Sequence, residues 1–177
     1  HLGREFLYGV GNAYYDDNPA RFGFLCRRAL EWAARSGARY DVIHAHDWHA
    51  GLVPVMVATS FRADPVVAGT PSVFTIHNVA YQGLFGPEWL SPLGLGRDLM
   101  RVDALEFWGR ISFLKGGIQF SRLITTVSPR YAEEIQTPQF GFGFDGILRS
   151  RGRDLVGILN GIDYDQWDPE RDVHLPA

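Results

Sequence analysis

The chain has 177 residues, 46% hydrophobic and 21% charged, with a formal net charge of −3. That balance suits one folded domain with a sizeable core, and it excludes a disordered tail and a basic nucleic-acid binder. No apolar run nears the roughly 20 residues of a membrane helix, and a single cysteine, Cys26, excludes an internal disulfide framework and fits a reducing compartment.

The chain begins His1-Leu2-Gly3 with no initiator Met and no basic-then-apolar leader, so a cytoplasmic location is expected. It ends His174-Leu175-Pro176-Ala177 just after a turn, and a piece cut at both ends is expected. Asn18-Pro19 reads as an N-cap followed by a first helical residue, with Phe22, Cys26, Ala29, Leu30 and Ala33 at helical spacing until Gly37. Cys26 falls on the apolar stripe, as a buried core residue rather than a reactive thiol. Asp41 to Ala45 is a short apolar strand, His46 to His49 its exit loop, and Ala50 to about Arg62 the next helix, with Pro54 in its first turn.

After the Gly69-Thr70-Pro71 breaker, Ser72 to Ile76 forms a second strand and His77-Asn78 opens a long irregular loop with a short helix or two. A helix over Ile111 to Phe120 follows, with Lys115, the only lysine, inside it. A strand at Leu123 to Val127 is capped into a helix by Ser128-Pro129, and a last strand at Leu155 to Leu159 ends in Asn160-Gly161. Strands alternating with helices, each strand a near-continuous apolar run, predict an α/β fold: a Rossmann-like parallel sheet with helices on both faces. Ligands collect at the carboxyl ends of such strands. Three of those ends carry polar or ring-bearing residues, which is the strongest residue-level sign of a site.

Each cluster has a plain alternative. His44-Ala45-His46-Asp47-Trp48-His49 offers imidazoles and a carboxylate, the donor set of zinc. Its histidine spacing fits a metal-dependent hydrolase using His44, His46 and His49, but Trp48 separates Asp47 from the third histidine, and no other ligand cluster follows. Without a metal, Asp47 is a hydrogen-bond acceptor for sugar hydroxyls and Trp48 an apolar wall; otherwise His44 and His46 share one strand face and are satisfied by neighbouring backbone. His77-Asn78 hydrogen-bonds without fixed charge near neutral pH, which suits a neutral sugar, or it is an Asx turn with a surface histidine. Asn160-Gly161 taken alone is a tight turn. Gly141 to Gly146 follows no strand and lacks the P-loop and dinucleotide patterns, so no phosphate cradle is expected. No carboxylate pair has glycosidase spacing.

Read together, five segments resemble the bacterial starch/glycogen synthase family in its own order: Gly11 to Tyr14, Asp41 to Gly51, Thr75 to Gly83, Thr125 to Ile135 and Gly157 to Asp163. The resemblance runs from about Tyr8 to Asp172. It implies a GT-B architecture of two facing Rossmann-like halves, with retaining transfer of glucose from ADP-glucose to the non-reducing end of an α-1,4-glucan. It implies no cofactor and no metal, since the nucleotide sugar is a substrate; the absence of a membrane or nucleic-acid partner is expected from the apolar runs and net charge alone. By the same resemblance His77 lies beside the transferred glucose as the catalytic residue. Tyr14, Asp47, Trp48, Asn78 and Asn160 become substrate contacts.

The family's opening Lys-Thr-Gly-Gly-Leu strand and motif have no counterpart here, nor does its nucleotide-binding C-terminal domain. Residues 1–177 are therefore expected to be a partial N-terminal, acceptor-side domain, inactive without the missing motif and partner domain, and marginally stable because the absent first strand leaves sheet edge and apolar surface exposed. A non-catalytic glucan-binding module is the remaining alternative.

Overall fold

A computed structural model describes residues 3–11 and 13–171. Asn12 of the first matching segment, the outermost residues His1 and Leu2, and the tail from Asp172 with His174 lie outside the described residues.

The centre is a four-stranded parallel sheet in the order β3-β4-β8-β9, formed by β3 (Ile43–His46), β4 (Ser72–Ile76), β8 (Leu123–Thr126) and β9 (Leu155–Gly157). Its strands advance steadily across the sheet, so right-handed crossovers bring the intervening helices to the face carrying Ala45, Phe74 and Ile124. These helices are α2 (Asp47–Ala50), α3 (Leu52–Ala58), α4 (Phe113–Phe120), α5 (Pro129–Glu134) and α6 (Asp145–Ser150), and the helix-flanked parallel sheet read from the alternation is present. Contact on that face is close: a Cβ on Gly117 of α4 would sit 2.3 Å from the Phe74 ring. Phe74, Ile76, Ile124, Phe113, Leu114 and Ile118 are fully buried there. The opposite face carries a polar ladder in which His44 Nε2 meets Thr75 Oγ1 at 2.7 Å and Thr75 Oγ1 meets Thr125 Oγ1 at 2.6 Å. His44 is therefore satisfied by a neighbouring hydroxyl rather than by backbone.

Ahead of the sheet, a small hairpin of β1 (Gly9–Val10) and β2 (Ala13–Tyr14) leads into α1 (Asn18–Ser36). α1 ends at Gly37 in the left-handed conformation, φ 68°, as its sequence requires. Its N-cap is Asp17 rather than Asn18, and no side chain caps it. Asn18 is buried instead: its amide donates to the Tyr8 carbonyl at 2.8 Å and its Oδ1 accepts from Arg21 at 2.6 Å, so it ties down the N-terminal segment. Cys26 is buried in α1, its Sγ donating to the His49 carbonyl, and burial pushes the thiol up to about 12.

The stretch between β4 and α4 is more ordered than its sequence suggests. It holds 3-10 helices at Pro87–Leu90 and Arg97–Leu99, and a three-stranded antiparallel sheet of β5 (Leu84–Phe85), β6 (Glu106–Phe107) and β7 (Arg110–Ser112) in the order β5-β7-β6. Ser112 then closes β7 and caps α4, its Oγ accepting from the Lys115 N–H at 3.1 Å and donating to the Gln82 carbonyl at 2.8 Å. Lys115 is buried, and its ammonium is held by the Glu106 carbonyl. Ser128 caps α5 as anticipated, accepting from the Tyr131 N–H at 2.9 Å.

Candidate functional site at the carboxyl edge of the sheet

β3 and β4 are parallel neighbours with His46 opposite Thr75, so the residues just past them leave the sheet side by side. The helical turn α2 begins immediately at Asp47, where an exit loop to His49 was expected, and Asp47 adopts φ 55°. A left-handed conformation costs a residue with a Cβ about 1–2 kcal/mol, least for Asn and Asp, whose short side chains hydrogen-bond locally. Here it aims the Asp47 carboxylate across at the next strand exit, where Oδ1 accepts the backbone N–H of His77 at 2.8 Å.

The His77 ring is held as well. Its Nε2 lies 3.1 Å from His46 Nδ1, and the His46 ring sits 4.1 Å from that of His44. An imidazole N–H···N bond needs one donor and one bare nitrogen, so the His46–His77 pair shares a single proton across it. Burial pulls the His46 ring below the ordinary histidine value, with His44 and His77 adding to the effect and Asp47 opposing it. Near neutral pH His46 is uncharged. This leaves His77 Nδ1, the nitrogen not engaged by His46, as its remaining polar atom.

Beside this lock lies a cavity of about 680 Å³, within the size range of small-ligand pockets, lined by Tyr8, Tyr14, Asp47, Trp48, His49, Asn78 and Tyr81 among others. The hairpin supplies Tyr14 and the β4 exit supplies Asn78. Four of the six residues singled out in sequence, Tyr14, Asp47, Trp48 and Asn78, thus line one cavity. His77 is bound to one of them without lining it. Trp48 differs from its expected role as an open wall: it is 5% exposed and packs its edge on Phe22, so it forms a floor. Asn160 stands apart. It follows β9, two strands from β4 at the same edge, exposed and outside the lining of this cavity.

The three histidines of the zinc reading do not converge. His46 turns to His77, whereas His49 stacks on the Tyr8 ring at 4.9 Å and meets the Phe22 ring edge-on. Among the described residues no three His, Cys, Asp or Glu side chains are placed to hold a metal ion.

Several lining residues escaped the sequence reading. Tyr81 sat inside the matching Thr75–Gly83 segment and Tyr8 at the start of the resemblance, yet neither lies at the carboxyl exit of a strand read from the sequence. The role of His46 was accessible from alternation, which places it on the same strand face as His44. Its bond to His77 required the register.

Comparison with known proteins agrees along nearly the whole chain. Residues 1–150 match the starch synthase catalytic domain family. A glycogen synthase of Anaeromyxobacter dehalogenans is 50% identical over 98% of this chain and 36% of its own length, and glycogen synthase 1 of Geobacter sulfurreducens is 47% identical over 100% and 35%. Among solved structures, the catalytic domain of starch synthase IV from Arabidopsis thaliana, bound to ADP and acarbose, superimposes with a TM-score of 0.83 at 36% identity, over 98% of this chain and 35% of that one. The chain spans about a third of the length of the curated relatives it matches. On these matches, the chain belongs to the starch synthase catalytic domain family of glycosyltransferases.

Proposed function

We propose that this chain supplies the acceptor-side part of a retaining glucosyltransferase, which moves glucose from ADP-glucose to the non-reducing end of an α-1,4-glucan. The observation that carries the reading is the lock between Asp47 and His77 beside a cavity walled by Tyr14, Asn78 and Tyr81. In the reaction, the bond between the anomeric carbon and the diphosphate oxygen breaks, a bond to the acceptor hydroxyl oxygen forms, and the hydroxyl proton leaves with the departing nucleoside diphosphate. Positive charge develops on the sugar ring and negative charge on the leaving group. Fixed dipoles that need not reorganise are what lower such a barrier.

Here His77, gripped at its backbone and its ring, lies beside the transferred glucose. Asp47, whose second carboxylate oxygen has no partner among the described residues, and Asn78 receive sugar hydroxyls. Tyr14 offers a ring face and Trp48 holds the floor; Asn160, outside this cavity, is assigned to the glucose by the family resemblance alone. The donor is a substrate and no cofactor is assigned. The groups that bind the nucleotide belong, on this reading, to the rest of a longer protein acting in the cytoplasm. Among the described residues no helix is long and apolar enough to cross a membrane.

The test is glucosyl transfer from ADP-glucose to a maltooligosaccharide by the longer protein containing this chain. His77→Ala is expected to lower the rate about 10²–10³-fold, the loss typical of one fixed transition-state contact. An unchanged rate would remove His77 from the reaction. The 177-residue chain alone is expected to show no transfer.

A further inference from the structure

The sheet face opposite Phe74 bears four polar side chains, His44, His46, Thr75 and Thr125, where a parallel sheet buried on both faces would run apolar. Their bonds share one offset. Register sets His44 opposite Val73 and His46 opposite Thr75, yet each imidazole reaches two residues further along the neighbouring chain. His44 Nε2 meets Thr75 Oγ1 at 2.7 Å, and His46 Nδ1 meets His77 Nε2 at 3.1 Å. Thr75 Oγ1 is held from its other side by Thr125 Oγ1 at 2.6 Å. The hydroxyl opposite His46 is thus already engaged twice, and the His44 ring lies against the His46 ring with 4.1 Å between centroids. Both features favour His46 leaning forward to His77.

His77 needs that second hold. The Asp47 carboxylate accepts its backbone N–H and so places its main chain, but not its ring. The last torsion of a histidine side chain is broad and roughly twofold, and a half-turn about it would put a carbon where Nδ1 stands. A bond to Nε2 selects one of the two orientations. His46 does not line the cavity beside Asp47, so whatever it contributes to the chemistry passes through His77.

We infer that His46 is a positioning residue for glucosyl transfer: through Nδ1 it holds the His77 imidazole in the one orientation that offers His77 Nδ1 to the sugar. The inference rests on the placing of His77 beside the transferred glucose and adds what keeps its ring there. A side chain with this task matters when the transition state forms and little when substrates bind. It is also replaceable by a residue that puts a polar atom at the same point. Asparagine does so, because its amide branches from Cγ as Nδ1 does, whereas alanine leaves nothing there.

The experiment is steady-state transfer from ADP-glucose to a maltooligosaccharide by the longer protein, for wild type, His46→Ala, His46→Asn and His77→Ala. His46 is exposed, so the fold is expected to survive, with circular dichroism as the check. His46→Ala is expected to lower kcat about 10–100-fold, the cost of misplacing a group at the reacting centre. KM for either substrate should stay within about twofold of wild type, since no binding contact is removed. His46→Asn should bring kcat back to within about fivefold of wild type, because the hydrogen bond to Nε2 is restored. A wild-type kcat in His46→Ala, a loss carried by KM alone, or an asparagine variant no faster than the alanine one overturns the inference. His77→Ala keeps the two levels apart: if it is impaired while His46→Ala is not, the role of His77 stands and that of His46 falls. If His77→Ala transfers as fast as wild type, the reading beneath the inference falls with it.

Discussion

Two exits from the same sheet edge behave differently. Past β3 and β4 the chain is tied at once: Asp47 grips the His77 backbone, His46 grips its ring, and Trp48 is buried beneath. Past β9 only the Ile158 N–H, bound to the Thr126 carbonyl at 2.8 Å, still extends the sheet, and Leu159, Asn160 and Ile162 stand exposed. β3 and β9 are both edge strands with one neighbour each, but the β3 exit is tied to that of β4 by side-chain bonds, whereas the β9 exit makes no such tie to that of β8 among the described residues. A polar residue at a strand end is thus a fixed instrument only when the adjacent exit holds it.

Disturbing the floor beneath the tied exits should have the largest effect. Gly83→Ala must place a Cβ against Trp48 and adopt a positive φ, and about 2–3 kcal/mol of stability should be lost. Urea unfolding measures this, and an unchanged midpoint would mean Trp48 moves freely. Next comes the tie itself. Asp47→Ala removes the acceptor for the His77 N–H and leaves a left-handed alanine, so a loss of about 2 kcal/mol is expected. Asp47→Asn keeps an acceptor and tolerates that conformation, and should recover most of the loss in the same assay.

Acid should loosen the tied exits more gently. Burial holds both His46 and His49 below the ordinary value of 6.5. The folded state therefore binds protons less readily than the unfolded chain. Their contribution is complete above pH 6.5 and is lost as pH falls from there through the lowered folded values. The urea midpoint should be lower at acid pH than at neutral pH, and His46→Gln should flatten the difference. A midpoint that rises on acidification would reverse the sign. The smallest effect is expected at the free exit, where Asn160→Ala should change stability by less than about 0.5 kcal/mol. A larger change would show that this segment is anchored after all.

Much of this arrangement is legible in the sequence because local chemistry dictates it. The β4 strand, the Gly37 stop and the Ser128 cap each follow from a few adjacent residues. The three-stranded sheet of β5, β6 and β7 was invisible because strands of two or three residues show no period. The exit loop expected over His46 to His49 is helical for a different reason: a left-handed Asp47 starts α2 immediately past the strand, which no alternation pattern reveals. Asn160 was correctly placed at the sheet edge, but a shared edge does not guarantee a shared cavity.

The most direct test of the central claim, that the β3 and β4 exits together receive sugar, is a maltotriose titration of the isotope-labelled chain followed by NMR. Saturable shifts should appear at Tyr14, Asp47, His77 and Asn78, with α6 at the margin of the fold left undisturbed. Shifts confined to other parts of the molecule, or none as the sugar is raised to millimolar levels, would contradict the claim.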